Sequence, residues 1–76
     1  MKPNYYMTIQ LKDKTLWTTE GFSIDDGINN LIDETNFDKQ RFIKQIHSII
    51  AKNFKTMTTK TICGCCYSKK TKKVIQ

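Results

Sequence analysis

Residues 4–12 alternate in polarity. Tyr5, Met7, Ile9 and Leu11 fall on one side, and Tyr6, Thr8, Gln10 and Lys12 on the other. That is the period of a half-buried strand, built from residues that favour strands. Pro3 stands at its start, where a missing backbone donor is tolerated. After the polar pair Asp13-Lys14 the pattern resumes over Thr15–Glu20, so the two segments predict a β-hairpin. A two-residue turn at 13–14 pairs Leu11 with Leu16 and Gln10 with Trp17. In that register Trp17 and Tyr6 face solvent, opposite Met7, Ile9, Leu11 and Leu16. A shift of one residue would turn Trp17 into the core instead.

Gly21-Phe22 closes the hairpin, and Ser23 with Asp26 has the spacing of an aspartate capping box. Ile24, Ile28, Leu31 and Ile32 follow with helical spacing, which predicts a first helix over 24–34 with Gly27 inside it. Thr35 and Asp38 offer a second cap. Phe42, Ile43, Ile46, Ile49, Ile50 and Phe54, extended by Met57, then form a broad apolar stripe, which predicts a second helix over 37–55. The β-branched run 56–63 reads as a third strand. From Ser68 the chain is polar and cationic, and is expected to fray.

The expected fold is α+β in the order ββααβ: an N-terminal hairpin, two helices packed on one of its faces, and a short C-terminal strand. Residues 1–68 form one domain and 69–76 a flexible basic tail. The expected core is Met7, Ile9, Leu11, Leu16, Phe22, Ile24, Ile28, Leu31, Ile32, Phe42, Ile43, Ile46, Ile49, Ile50 and Phe54. For a chain of 76 residues that core is thin, so a homodimer or a larger partner would complete it.

Charge adds the functional hint. The net charge is +6, and its distribution is uneven. Residues 1–38 carry all seven acids against three lysines, a net −4; residues 39–76 carry Arg41 and nine lysines with no acid, a net +10. A charge split of this size steers polyanions such as nucleic acid, an anionic surface or an acidic protein. On the expected second helix Arg41, Lys44, Lys52 and Lys55 lie opposite the apolar stripe, and Lys69, Lys70, Lys72 and Lys73 extend the basic region. Exposed Trp17 and Tyr6 would stack on bases or anchor a protein partner. The competing reading is a solvated basic face. With lysine far outnumbering the single arginine, backbone attraction is expected over base-specific readout, and DNA is not distinguished from RNA.

Cys63-Gly64-Cys65-Cys66 contains one C-x-x-C. A structural zinc site needs four ligands, and the sole intrachain set is Cys63, Cys65, Cys66 and His47. The half-motif therefore favours free thiols and no metal, with redox chemistry and S-acylation as alternatives. An odd cysteine count argues against a secreted disulfide scaffold and for a reducing cytoplasm. No apolar run spans a membrane, the first residues lack a signal-peptide pattern, and no cofactor, small-molecule ligand or catalytic constellation is indicated.

Two functions follow as expectations. One is a small non-enzymatic nucleic-acid-binding accessory or regulatory protein. The other is a mobile-element (phage-type) inhibitor or adaptor that binds a host protein, such as a nuclease or defence complex, in the host cytoplasm. The richness in Lys, Ile, Asn and Thr, typical of A/T-rich genes, points to a low-GC microbe or a mobile element.

Overall fold

The structure is a computed structural model that describes the backbone of residues 3–75 and the side chains of residues 3–69. It is an α+β fold with β1 (Tyr5–Leu11), β2 (Leu16–Gly21), α1 (Ile24–Thr35), α2 (Lys39–Gln45), β3 (Ile46–Asn53), β4 (Thr58–Cys63) and α3 (Gly64–Ile75). The strands form one antiparallel sheet in the order β2-β1-β3-β4. The hairpin, the first helix and the strand near the C-terminus lie where the sequence places them. The long second helix does not.

The hairpin turns on three residues rather than two. Leu11 N donates to Thr15 O at 3.0 Å and Lys14 N donates to Leu11 O at 2.9 Å. Asp13 Oδ1 accepts from both the amide and the hydroxyl of Thr15, and Lys14 takes the left-handed conformation at φ 73°. The Thr15 hydroxyl, then its amide, hold the Asp13 carboxyl below its ordinary range. This is the three-residue loop with a left-handed third position, favoured where the Asn-Gly of a two-residue turn is missing. The added residue pairs Ile9 with Trp17 and Gln10 with Leu16, so every side chain of β2 changes face. Trp17 is half-buried against the core, and Leu16 is 65% exposed.

Ser23 Oγ caps α1 by accepting from Asp26 N, and Asp26 Oδ2 accepts in return from Phe22 N, both at 3.0 Å. Gly27, unfavourable within a helix, has a packing reason. A Cβ on Gly27 would stand 1.8 Å from the buried Met7 Cε, and one on Gly21 would stand 2.4 Å from Gly27 N, so the backbones of β2 and α1 touch there. Thr19 Oγ1 donates to Gly27 O at 2.8 Å across the same contact.

Asp38 caps α2 by accepting from Gln40 N and Arg41 N, but the helix ends at Gln45 and the chain enters β3. The isoleucines that read as a helical stripe are therefore strand residues. Ile46 pairs with Leu11 and Ser48 with Gln10, which leaves His47 as an extra residue in a bulge. Without the bulge, Ile46 and Ile49 would face opposite sides; with it, both are buried. Ile50 points away from the helices and is 46% exposed. Phe22 and Phe54 are likewise exposed rather than core, and Leu11 and Ile24 are only half-buried.

α1 packs on the β2–β1 side of the sheet and α3 on the β3–β4 side, with α2 against both helices. The buried core is Met7, Ile9, Ile28, Leu31, Ile32, Phe42, Ile43, Ile46, Ile49, Ala51 and Tyr67. Tyr67 was not expected there. It brings α3 back onto α1, donating its hydroxyl to Asp25 Oδ1 at 2.6 Å. The backbone over residues 64–75 is helical, so the chain passes from β4 directly into α3.

Burial, then the hydrogen bond to Asp25 and its negative charge, push the Tyr67 phenol well above its ordinary range. The folded state thus holds this proton to higher pH than the unfolded chain does. The resulting stabilisation is complete below the unfolded tyrosine pKa of about 10 and is lost as pH rises beyond it. Tyr67→Phe is expected to cost about 1.5–3 kcal/mol at neutral pH, the range for a hydrogen bond to a charged group. Denaturation in parallel at pH 7 and above pH 10 should show the gap to wild type narrowing at high pH. A gap that is zero at neutral pH would remove the bond from the account.

Candidate functional site: the open face of the sheet

With all three helices on one side, the other face of the sheet is bare. The register places its side chains in rows. Leu16, Gln10, Ser48 and Cys63 form one row; Thr18, Thr8, Ile50 and Thr61 the next; Glu20, Tyr6, Lys52 and Thr59 the third. Phe54 follows Lys52 with the same strand parity, its backbone N donating to Asn4 O at 2.8 Å. The Lys52 ammonium lies over the Phe54 ring, 5.9 Å from its centroid. Tyr6 is the direct cross-strand partner of Lys52 and is 39% exposed; Phe54 is 46% exposed.

Just beyond Phe54, Asn53 Oδ1 accepts from Lys55 N and Thr56 N, and Met57 takes a left-handed conformation, so the β3–β4 turn is a built Asx turn. It holds Lys55 beside this end of the sheet. Tyr6, Lys52, Phe54 and Lys55 thus form a patch of two rings and two cations. Glu20 is the carboxylate of the third row, on edge strand β2, with β1 between it and Lys52. The charge split of the sequence becomes a partial split across the sheet: Glu20, Asp33 and Glu34 lie together on the β2 side, Lys52, Lys55, Lys60 and Lys69 on the β3–β4 side, and Asp25 reaches across to Tyr67 of α3.

The residues singled out from sequence do not share one helix face. Lys52 and Tyr6 meet on the open sheet, and Lys55 lies in the adjoining turn. Arg41 and Lys44 are on α2, and Lys69 is on α3. Lys70, Lys72 and Lys73 lie on the backbone of α3, with side chains outside the described residues. Trp17 does not join Tyr6. It packs edge-on against Phe37, centroids 5.3 Å apart, and Phe37 stacks on Phe42 at 5.5 Å. These rings and Arg41 line a cleft of about 430 Å³ on the helix side. The Trp17 Nε1 is buried there without a hydrogen-bond partner. Phe54, expected in the core, is the residue of this patch that the sequence reading left out. Its signal was the two-residue spacing of Ile50, Lys52 and Phe54.

Cys63 ends β4, and Cys65 and Cys66 begin α3; all three thiols are free and exposed. Cys63 directly precedes the first turn of α3, next to the backbone amides of Cys66 and Cys65, with the Cys66 thiol and Lys69 contributing less. Those interactions, the Cys66 amide foremost, hold the Cys63 thiol below its ordinary range. Among the described residues, no group of three or more His, Cys, Asp or Glu side chains is placed to hold a metal ion, although the carbonyl of His47, on the β3 bulge, lies beside Gly64. No helix among the described residues is long and apolar enough to cross a membrane. Compared with protein-family models, curated proteins and solved structures, the chain matches none.

Proposed function

We propose that the protein is a non-enzymatic nucleic-acid-binding accessory protein that holds a single strand on the open face of its sheet. The observation that carries this reading is the cluster of Tyr6, Lys52 and Phe54: two exposed rings flanking a lysine on a surface no helix covers. Exposed rings on a flat sheet accept any base by stacking, and each is worth about 1–3 kcal/mol. Lys52 and Lys55 supply phosphate contacts, and the absence of acids from residues 39–76 leaves them unopposed in sequence. A single strand fits better than a duplex, whose stacked bases are closed to the rings. The lone arginine is on α2, away from this face, which fits backbone and stacking contacts rather than a base-edge code.

Fluorescence anisotropy with labelled single-stranded DNA and RNA tests the reading. Tyr6→Ala is expected to weaken binding by about 1–3 kcal/mol. Lys52→Glu should weaken it strongly, whereas Lys44→Glu, on α2, should change little. Two phosphate contacts on a single strand imply a log–log salt slope of about −1.4. Equal losses from Lys44→Glu and Lys52→Glu would instead put the ligand on the helix side.

Leu16 and Ile50, exposed on the same face, favour a second reading in which the sheet docks on a host protein as an inhibitor or adaptor. In that case Leu16→Asp disrupts the complex, and no oligonucleotide competes with the partner.

A further inference from the structure

β2 and β4 are the edges of the sheet, each with a strand on one side only. Both are six-residue strands without proline, and the register shift of the sheet lies away from them, between β1 and β3. Such an edge offers unpaired amides and carbonyls to a matching strand. Their direction follows from two bonds. Asn30 Nδ2, on α1, donates to Glu20 O at 3.0 Å, so the Glu20 carbonyl points away from β1. Asn4, two residues before Tyr6, turns its carbonyl toward β3 and accepts from Phe54 N at 2.8 Å. Bonded and non-bonded pairs alternate in an antiparallel sheet. Glu20–Tyr6 is thus a non-bonded pair, Tyr6–Lys52 a bonded one and Lys52–Thr59 again non-bonded. The backbones of Thr59, Thr61 and Cys63 therefore point outward from β4, as those of Leu16, Thr18 and Glu20 do from β2.

We propose that copies of this chain assemble head to tail, β4 of one on β2 of the next, into a continuous sheet. With four antiparallel strands, the two edges run in opposite directions. A copy translated along the sheet lays its β2 antiparallel to β4, with its open face and its helices on the same sides. Each row of the open face then continues: Thr59 meets Glu20 of the next copy, Thr61 meets Thr18, and Cys63 meets the exposed Leu16. All six backbones point outward, so each pair exchanges two hydrogen bonds. The charges fit as well. Lys60, on the helix side of β4 beside Ala51, stands opposite Thr19 of the next copy. There a groove of about 500 Å³ is lined by Thr19, Asn30, Asp33 and Glu34. In its own chain Lys60 shares a cleft with Asp25, whose carboxylate accepts from the Tyr67 hydroxyl. Pairing β4 with β4 would instead bring together the lysines of two copies, and pairing β2 with β2 their acids, and like charges oppose both. The contact joins two different surfaces, so growth does not stop at a pair, and sheet twist winds the product into a helical filament. The assembly depends on the two edges and their charges, whatever the open face binds.

Sedimentation velocity of the wild-type full chain at rising concentration tests this. At low salt the mass is expected to grow past two copies without a preferred size. High salt screens the contact of Lys60 with the acids and should return the chain toward a monomer. Proline at an outward position removes an edge donor without breaking a bond of the existing ladder. Thr18→Pro blocks β2 and Thr61→Pro blocks β4, so each variant alone should remain a monomer. Mixed, each supplies the edge that the other lacks, and the mixture should stop at one heterodimer. Lys60→Glu leaves the edge backbone intact and should stay monomeric at concentrations where wild type grows. A wild-type chain that remains a monomer at every concentration, or that stops at a dimer, would overturn the proposal. Dimers of Thr18→Pro alone or Thr61→Pro alone would do so too.

Discussion

Replacing Ile49 with alanine should cost about 2–5 kcal/mol, whereas the same change at Ile50 should cost little. Ile49 is fully buried on the helix side of β3, paired with Ile9 on one neighbour and Ile62 on the other. Its truncation leaves a cavity in the middle of a small core, and a chain of this size has little stability to spare. Ile50, one residue on, points to the open face. On a helix covering both residues, the two side chains would lie on one buried stripe and the two variants would cost similar amounts. Denaturant unfolding of both checks this directly. A large midpoint shift for Ile49→Ala with almost none for Ile50→Ala is the signature of the strand.

The second large effect is expected at Gly64. Its missing Cβ is what lets α3 pack against the start of β3, because the nearest atoms there are the carbonyl oxygen and carbon of Ile46. Backbone cannot step aside as the tip of a flexible side chain can. Gly64→Ala should therefore displace α3 from the sheet and cost about 3 kcal/mol, the upper end for overpacking. Tyr67, three residues on, would leave the core and its bond to Asp25 with it. Thermal unfolding together with tyrosine titration distinguishes this from a local adjustment: a displaced α3 lowers the midpoint and returns the Tyr67 phenol toward its ordinary range. Wild-type stability in Gly64→Ala would mean that the strand–helix joint is not tightly packed.

The β-hairpin and α1 were legible because their signals are local. Alternation over Tyr5–Leu11 and the Ser23–Asp26 box each specify their element without distant partners. Residues 46–50 were not legible, for a definable reason. Ile46 and Ile49 stand three apart, the spacing of a helix face, and they share a strand face only because His47 is bulged out. Periodicity alone cannot separate a helix from a bulged strand. The density of isoleucine at 46, 49 and 50 was the remaining cue, since β-branched residues fit a pleated surface better than a helix.

Misreading that segment also misplaced the candidate site. Lys52 and Lys55 were singled out as candidate binding cations, but were grouped with Arg41 and Lys44 on a helix. Phe54 was assigned to the core, although it lies beside Lys52 on the open side. Trp17 was assigned to solvent because a two-residue turn differs from a three-residue one by a single step of register. Tyr6 was placed on the open face in either register, because the two faces of β1 are set by its own alternation. The strand-to-helix junction at Cys63 was hidden for a related reason: the C-x-x-C was read at the end of a strand, with no helix beyond it to supply amides.

In the proposed function, a single-stranded nucleic acid lies on the sheet over Tyr6, Lys52 and Phe54. Mapping backbone amide shifts by nuclear magnetic resonance during titration with a short single-stranded oligonucleotide tests it most directly. The largest changes are expected at Tyr6, Lys52, Phe54 and Lys55, with smaller ones at Thr8, Ile50 and Thr59, and still amides at Ile28 and Leu31 in α1. Changes centred on Arg41, Lys44 and Lys69, with the open face unmoved, would contradict it.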